Sequence, residues 1–223
     1  MESTAVDRLA AFRSQLSDAV EPGRTAPTLI VVTKFQPVSL VRELFDAGQR
    51  DFGENRHPES RDKQADLAEP DAVWHFVGQL QRNKVRQVAR YAHVLHAVDR
   101  PEIIELLETG EGIPKRDVFL QVNLTDDAGR GGASADDLLA LAERAADSPA
   151  VRVLGVMAVA PVDEEPARAF ERVARHSERL RTVIPDAAAI SAGMTGDWRE
   201  ALDHGATHLR IGTAITGSRP DAP

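Results

Sequence analysis

The stretch TLIVVTK, residues 28–34, decides the fold. Five of its seven residues are β-branched, and such a run reads as a buried strand. It ends on Lys34. A charge at the end of a buried strand must either reach water or serve a purpose. A lysine desolvated at such a place has a lowered pKa, which suits Schiff-base chemistry. The same residue also reads as an ordinary solvated lysine at a strand–loop junction, and the run alone does not choose.

Working outward, the same kind of run recurs, each time separated from the next by a helix-like segment. A first helix covers 5–20 and stops near Pro22-Gly23. After strand one, a helix covers 37–47, with Pro37 at its start and Gly48 as its stop. Strand two is short, around DFGEN (51–55), followed by a polar helix over 58–67. Strand three is AVWHFVG (72–78), followed by a helix over 81–91. Strand four is VLHAV (94–98), and a helix begins at Pro101. Strand five is DVFLQVNL (117–124). The next helix, 134–146, takes Ser134 as its cap, with Asp136 and Asp137 in its first turn. Strand six is VRVLGVMAV (151–159), before a long helix over 165–183. Strand seven is AAAISA (187–192), before a helix running from 196 to Gly205. Strand eight is HLRIGTAI (208–215).

Strands alternating with helices imply right-handed βαβ units and a parallel sheet. Eight such units in about 200 residues predict a single-domain (β/α)8 barrel with one leading helix. An open doubly wound sheet is the alternative. No internal repeat or linker divides the chain, and the tail 218–223 is expected to fray.

Composition narrows the function. The chain has 223 residues, 42% hydrophobic and 28% charged, with a net charge of −8. That charge argues against a general nucleic-acid or anionic-membrane binder. With no cysteine, disulfides, thiol nucleophiles and thiolate metal sites are excluded. No run approaches the ~20 apolar residues of a membrane span, and 1–12 lacks the apolar core of a signal peptide. A soluble, cytoplasmic protein is expected.

In a barrel the chemistry sits at the carboxyl ends of the strands. That rule selects Lys34, Asn55, His75, Gly78, Asn123, Met157, Ser191, Arg210 and Gly212. Glycine-bearing segments after strands seven and eight, SAGMTGD (191–197) and RIGT (210–213), are where barrels often bind phosphate. Gly193 and Gly212 would permit close approach of backbone N–H groups to an anion. The other candidates are weaker. His93 and His96 should point to opposite faces of a strand, and Gly205 separates His204 from His208, so no metal site is expected. Arg82, Arg86 and Arg90, with Lys84 nearby, read as a solvated helix face or, less simply, a partner- or anion-binding patch. DDAGRGGAS (126–134) lacks the Gly-Lys-Ser/Thr ending of a nucleotide phosphate loop and reads as a mobile loop beside the mouth.

The motifs VVTK, DFGEN, WHFVGQLQRNK, VFLQVN, GVM, SAGMTGD and RIGTAI, taken together, resemble the pyridoxal-phosphate homeostasis proteins, whose barrel is similar to the N-terminal domain of alanine racemase. The resemblance spans about 6–219, and WHFVGQLQRNK is its most specific part. It implies pyridoxal 5'-phosphate as cofactor, held as an aldimine on Lys34. It implies that Ser191 holds the phosphate, that Gly212 and Thr213 complete the cradle, and that Arg210 faces the pyridine nitrogen. Asn55, His75 and Met157 would line the ring pocket. The chain departs from the family pattern at 56–59, where an aromatic and a glutamine are usual, in the loop around Arg130, where a lysine is usual, and at Ala192 and Thr195.

Arg210 bears on mechanism. An arginine offers only donors and keeps its charge, so it favours an unprotonated ring and a weaker electron sink. Alanine racemase, as the resemblance implies, works with such an arginine but adds a tyrosine from a separate domain of its partner subunit. No residues are left here for that domain, and Tyr91, the one tyrosine, sits before strand four. The expectation is a monomeric, non-catalytic binder acting in storage of the cofactor or its delivery to pyridoxal-phosphate-dependent apoenzymes. The alternatives are a racemase-type enzyme on a small amino acid and a cofactor-free lysine aldolase.

Overall fold

The computed structural model describes residues 3–125 and 127–218. Of the predicted tail, 218–223, residues 219–223 lie outside the described residues. Eight parallel strands close into a barrel in chain order: β1 (Thr28–Val32), β2 (Asp51–Glu54), β3 (Val73–Phe76), β4 (Val94–Val98), β5 (Arg116–Gln121), β6 (Val151–Met157), β7 (Ala189–Ser191) and β8 (His208–Ile211). Closure is by pairing of β1 with β8, which sets Ile30 beside Arg210. Outside run α1 (Ala5–Ala19), α2 (Val38–Asp46), α3 (Glu59–Leu67), α4 (Val85–Ala89), α5 (Pro101–Glu108), α6 (Asp137–Ala146), α7 (Pro166–Arg181), α8 (Trp198–Asp203) and the single turn α9 (Thr213–Thr216).

Alternation along the strands sorts the side chains into two cores. Leu29 and Val31 of β1, Phe52 of β2, Trp74 and Phe76 of β3, and Leu209 and Ile211 of β8 face outward. They join the helices in one continuous apolar cluster, where each large, fully buried side chain contributes about 1.5–3 kcal/mol. The inward cluster is far smaller: Val94, Ala97, Phe119 and Met157, with Val73, Leu154 and Ala189 against it. Much of the remaining interior is polar. His75, His96, Ser191 and Arg210 are buried there, and His208 meets the ring of Phe119 edge-on at 5.0 Å.

The leading helix is held by a capping box. Thr4 Oγ accepts from the Asp7 N–H, and Asp7 accepts from the Thr4 N–H. α1 then packs on α2 and α9, Phe12 meets Trp198 of α8 at 5.2 Å, and Arg8 Nε donates to the Ile215 carbonyl. It thus fills the outer-ring position left by the brevity of α9.

Among the boundaries that differ from the sequence expectation, three have a plain cause. β1 ends at Val32, because Phe35 adopts φ 67° and turns the chain. α4 is one short turn, since residues 81–84 form a separate turn closed by the Lys84 N–H on the Gln81 carbonyl. β8 ends at Ile211 and the chain re-forms as α9 after Gly212. The loop expected to be mobile is tied down in its described part. Asn123 Nδ2 donates to the Asp127 carbonyl, the Gly132 N–H donates to Asp99, and Val122 bridges to Ala133.

The interior histidines make stability depend on pH. Burial lowers the pKa of His96 well below 6.5, helped by its neighbours His75 and Arg210. Burial likewise lowers His208 to about 4. Below pH 6.5 the unfolded chain then binds protons that the folded chain refuses, so stability falls as pH falls. Melting temperature should drop between pH 7 and pH 5, and His208→Asn should flatten that drop. An unchanged slope in the variant would show that His208 does not report on the interior.

Candidate cofactor site at the barrel mouth

The site is built from the turn after β1. Thr33 still pairs with β2 through its N–H on the Gly53 carbonyl, and Lys34 follows, exposed on the wall of a cavity at the carboxyl ends of the strands. Of the two readings the strand left open, its surroundings match the solvated lysine at a strand–loop junction.

A buried ion pair fixes this turn. The Lys63 ammonium on α3 has three donors, and three acceptors meet them: the Thr33 carbonyl at 2.8 Å, Glu54 Oε1 at 2.8 Å and Glu59 Oε1 at 2.9 Å. Thr33 Oγ donates to the same Glu54 oxygen at 2.7 Å. Glu59 Oε1 also accepts the Phe35 N–H at 2.9 Å, holding the residue with the positive φ. The residues on both sides of Lys34 are thus tied to one network. Burial raises the Glu54 pKa despite the opposing Lys63 charge, so that carboxylate depends on its partner.

On the far wall is Arg210, buried in β8. One terminal N–H group donates to Ser191 Oγ at 2.6 Å and the other to the Ala158 carbonyl at 2.9 Å. Burial lowers its pKa to about 10, which leaves it charged at neutrality. Between Lys34 and Arg210 the cavity has a volume of about 350 Å³, with Val32, Asn55 and Val77 on one side and Thr195, Gly196, Gly212 and Thr213 on another. Thr213 opens α9, where the N–H groups of Ile215 and Thr216 donate to the Gly212 carbonyl and those of Thr213 and Ala214 have no helical partner. A Cβ on Gly196 would project into open space. Asn55 Oδ1 is buried with no hydrogen-bond partner. A cationic amine, a buried guanidinium, an orphaned amide oxygen and a glycine-rich turn in one cavity fit an aromatic aldehyde that bears a phosphate and a ring nitrogen.

Five of the nine residues expected at the site line this cavity: Lys34, Asn55, Arg210, Gly212 and Thr213. The other four lie elsewhere. Ser191 is below Arg210, its hydroxyl engaged by Arg210 and by His96 Nδ1 at 2.9 Å. Gly193 has φ 88°, and a Cβ there would come within 2.8 Å of Ala201 and 3.0 Å of Leu209; it serves the turn and the packing of α8. Met157 packs on the inward apolar cluster. His75 bonds to His96 and Asp51 deeper in the barrel. In their place Thr195 and Gly196 face the cavity, with the exposed apolar side chains of Val159 and Met194 at the rim. Tyr91 stacks on His57 outside the cavity, and burial pushes its pKa up to about 12, the Ser60 hydrogen bond notwithstanding. Among the described residues no cluster of His, Cys, Asp or Glu could hold a metal ion, and no helix is long and apolar enough to cross a membrane.

The model of the alanine racemase N-terminal domain matches residues 8–220. A pyridoxal phosphate homeostasis protein of Pseudomonas aeruginosa is 38% identical over 97% of this chain and 96% of its own length. PipY of Synechococcus elongatus, solved both without pyridoxal phosphate and with it bound, is 33% identical over 96% of this chain and 100% of PipY, with TM-scores of 0.84 and 0.83. Alanine racemase of Corynebacterium glutamicum shares the fold, with a TM-score of 0.75 at 15% identity. The chain belongs to the pyridoxal phosphate homeostasis proteins, a family built on the alanine racemase N-terminal barrel.

The Lys63 network yields a stability prediction. Lys63→Met strands a buried carboxylate and should cost about 3–5 kcal/mol in urea unfolding. Adding Glu54→Leu should recover much of that loss. No recovery would mean that the pair's value lies in packing and not in charge.

Proposed function

We propose that the chain holds pyridoxal 5'-phosphate on Lys34 at the barrel mouth and acts in supply of that cofactor, by storage or delivery to apoenzymes that require it, without turnover of its own. The observation that carries this reading is the placing of Lys34 and the buried Arg210 on one cavity whose described wall holds no other acid–base side chain. The bound pyridoxal phosphate of PipY supports it, as does the name of the Pseudomonas aeruginosa relative.

When bound, pyridoxal phosphate supplies an aldehyde that condenses with a primary amine and a ring that withdraws electrons. Lys34 presents the amine. Arg210 would face the ring nitrogen, and because a guanidinium offers no acceptor it would favour an unprotonated nitrogen. Asn55 would border the ring. Thr195, Gly196, Gly212 and Thr213 would hold the phosphate with hydroxyl and backbone N–H donors. This replaces Ser191, whose hydroxyl is committed to Arg210 and His96. A racemase needs two acid–base groups on opposite faces of the substrate carbon. Lys34 is one; neither Tyr91 nor His75 lines the cavity.

Two measurements follow. Each phosphate hydrogen bond is charge-assisted and worth roughly 1.5–3 kcal/mol. Gly212→Val should therefore weaken pyridoxal phosphate by at least about tenfold while leaving pyridoxal little changed. Equal weakening of both would place the phosphate elsewhere. Holo-protein incubated with single L-amino acids in deuterium oxide should show almost no loss of the α-proton by NMR. Enzyme-level exchange that vanishes in Lys34→Ala would overturn the non-catalytic reading.

A further inference from the structure

A continuous line of hydrogen bonds runs through the barrel from its floor to Arg210. Asp51 opens β2 at the amino end of the strands and accepts from, or donates to, nothing else in this line. Its Oδ1 lies 2.9 Å from His75 Nε2. His75 Nδ1 is 3.0 Å from His96 Nε2. His96 Nδ1 is 2.9 Å from Ser191 Oγ, and Ser191 Oγ is 2.6 Å from Arg210. The four members above Asp51 are all buried.

The two ends fix the direction of every bond between them. A guanidinium can only donate, and an ionised carboxylate can only accept. With neutral imidazoles, His75 must carry its proton on Nε2 to reach Asp51, leaving Nδ1 bare. His96 must then donate from Nε2 and keep Nδ1 bare. The Ser191 hydroxyl donates to that bare nitrogen, and a lone pair of its oxygen is turned toward Arg210. All four bonds are satisfied, and each polarises the next in the same sense. The reverse direction, with an added proton on His75, would make His96 donate to Ser191. The serine hydrogen would then need another acceptor at a position with 0% exposure. It would also add a positive charge to an interior that already holds the Arg210 guanidinium.

We infer that Asp51 is a positioning residue for Arg210: acting through His75, His96 and Ser191 in a single proton arrangement, it sets the tautomers of both histidines and holds the guanidinium in place for a ring nitrogen in the cavity above. The last clause rests on the cofactor reading; the proton arrangement does not. Neither His75 nor Ser191 is then a cavity contact. Both belong to the support beneath one.

The test is a long-range ¹H–¹⁵N correlation spectrum of the wild-type protein without cofactor at pH 7. Both His75 and His96 should show a protonated Nε2 and a bare Nδ1. A proton on Nδ1 of His96 would overturn the proposal. Asp51→Ala removes the terminal acceptor and should mix the two tautomers. It should also weaken pyridoxal phosphate roughly fivefold, the worth of one ordinary hydrogen bond. Asp51→Asn keeps an accepting oxygen for His75 and should restore both the tautomers and the affinity. A purely structural aspartate would leave the tautomers unmoved in Asp51→Ala, and that result would also overturn the proposal. Should Asp51→Ala not fold, the wild-type spectrum decides. Correct tautomers in a protein that binds no pyridoxal phosphate would defeat the proposed function and leave the hydrogen-bonded line standing.

Discussion

The structure depends on keeping a guanidinium charge inside a closed barrel. Arg210 is buried on β8, with no carboxylate in contact among the described residues, and transfer of such a charge from water is costly unless its hydrogen bonds are met. The barrel meets two of them from below and beside, with Ser191 Oγ and the Ala158 carbonyl. The polar interior follows from that need. A (β/α)8 barrel ordinarily fills its centre with layers of branched apolar side chains. Here the inward apolar cluster is small, and histidines and a serine take much of the remaining space. The outer cluster between strands and helices, which runs nearly the length of the chain, supplies the stability that the interior gives up.

Opposite Arg210, the lysine is placed by a second expensive device. Lys34 sits between Thr33 and Phe35, and both are held by the Lys63, Glu54 and Glu59 network. An aromatic residue at φ 67° is strained, and the Glu59 carboxylate on its N–H keeps it there. The two walls of the cavity are therefore fixed independently, one from the α3 side and one through the barrel interior. A reactive amine and a fixed cation held at a set separation suit a ligand that is both an aldehyde and a pyridine.

Much of this was legible in the sequence, and the rest has a common physical reason. The β-branched and apolar runs marked all eight strands, because a strand buried on both faces needs them. The barrel rule then led to Lys34, Asn55, Arg210 and Gly212. What the sequence does not contain is depth. His75, Met157 and Ser191 do face inward, as their strand positions imply, yet they lie below the mouth, at levels set by the tilt and register of a closed sheet. Ser191 pairs in register with His208, two residues short of Arg210, and that places it underneath. Thr195 and Gly196 were visible in SAGMTGD, but which residues of a turn face a cavity is decided by the turn's path. Gly193 was read as a phosphate glycine when the turn itself required it. The motif WHFVGQLQRNK resisted a physical reading because most of it is an irregular turn between the end of β3 and the start of α4. Its Gln79, Gln81 and Lys84 line a smaller neighbouring cavity that shares Asn55 with the cofactor site.

The central claim is that one lysine, Lys34, is the point of attachment. It is tested most directly by loading the wild-type protein with pyridoxal phosphate, reducing it with borohydride and mapping the modified peptide by mass spectrometry. The account predicts one label per chain, on Lys34, and none in Lys34→Ala. A label on Lys84 at the adjacent cavity, on Lys115 at the barrel floor, or undiminished labelling of Lys34→Ala would contradict it.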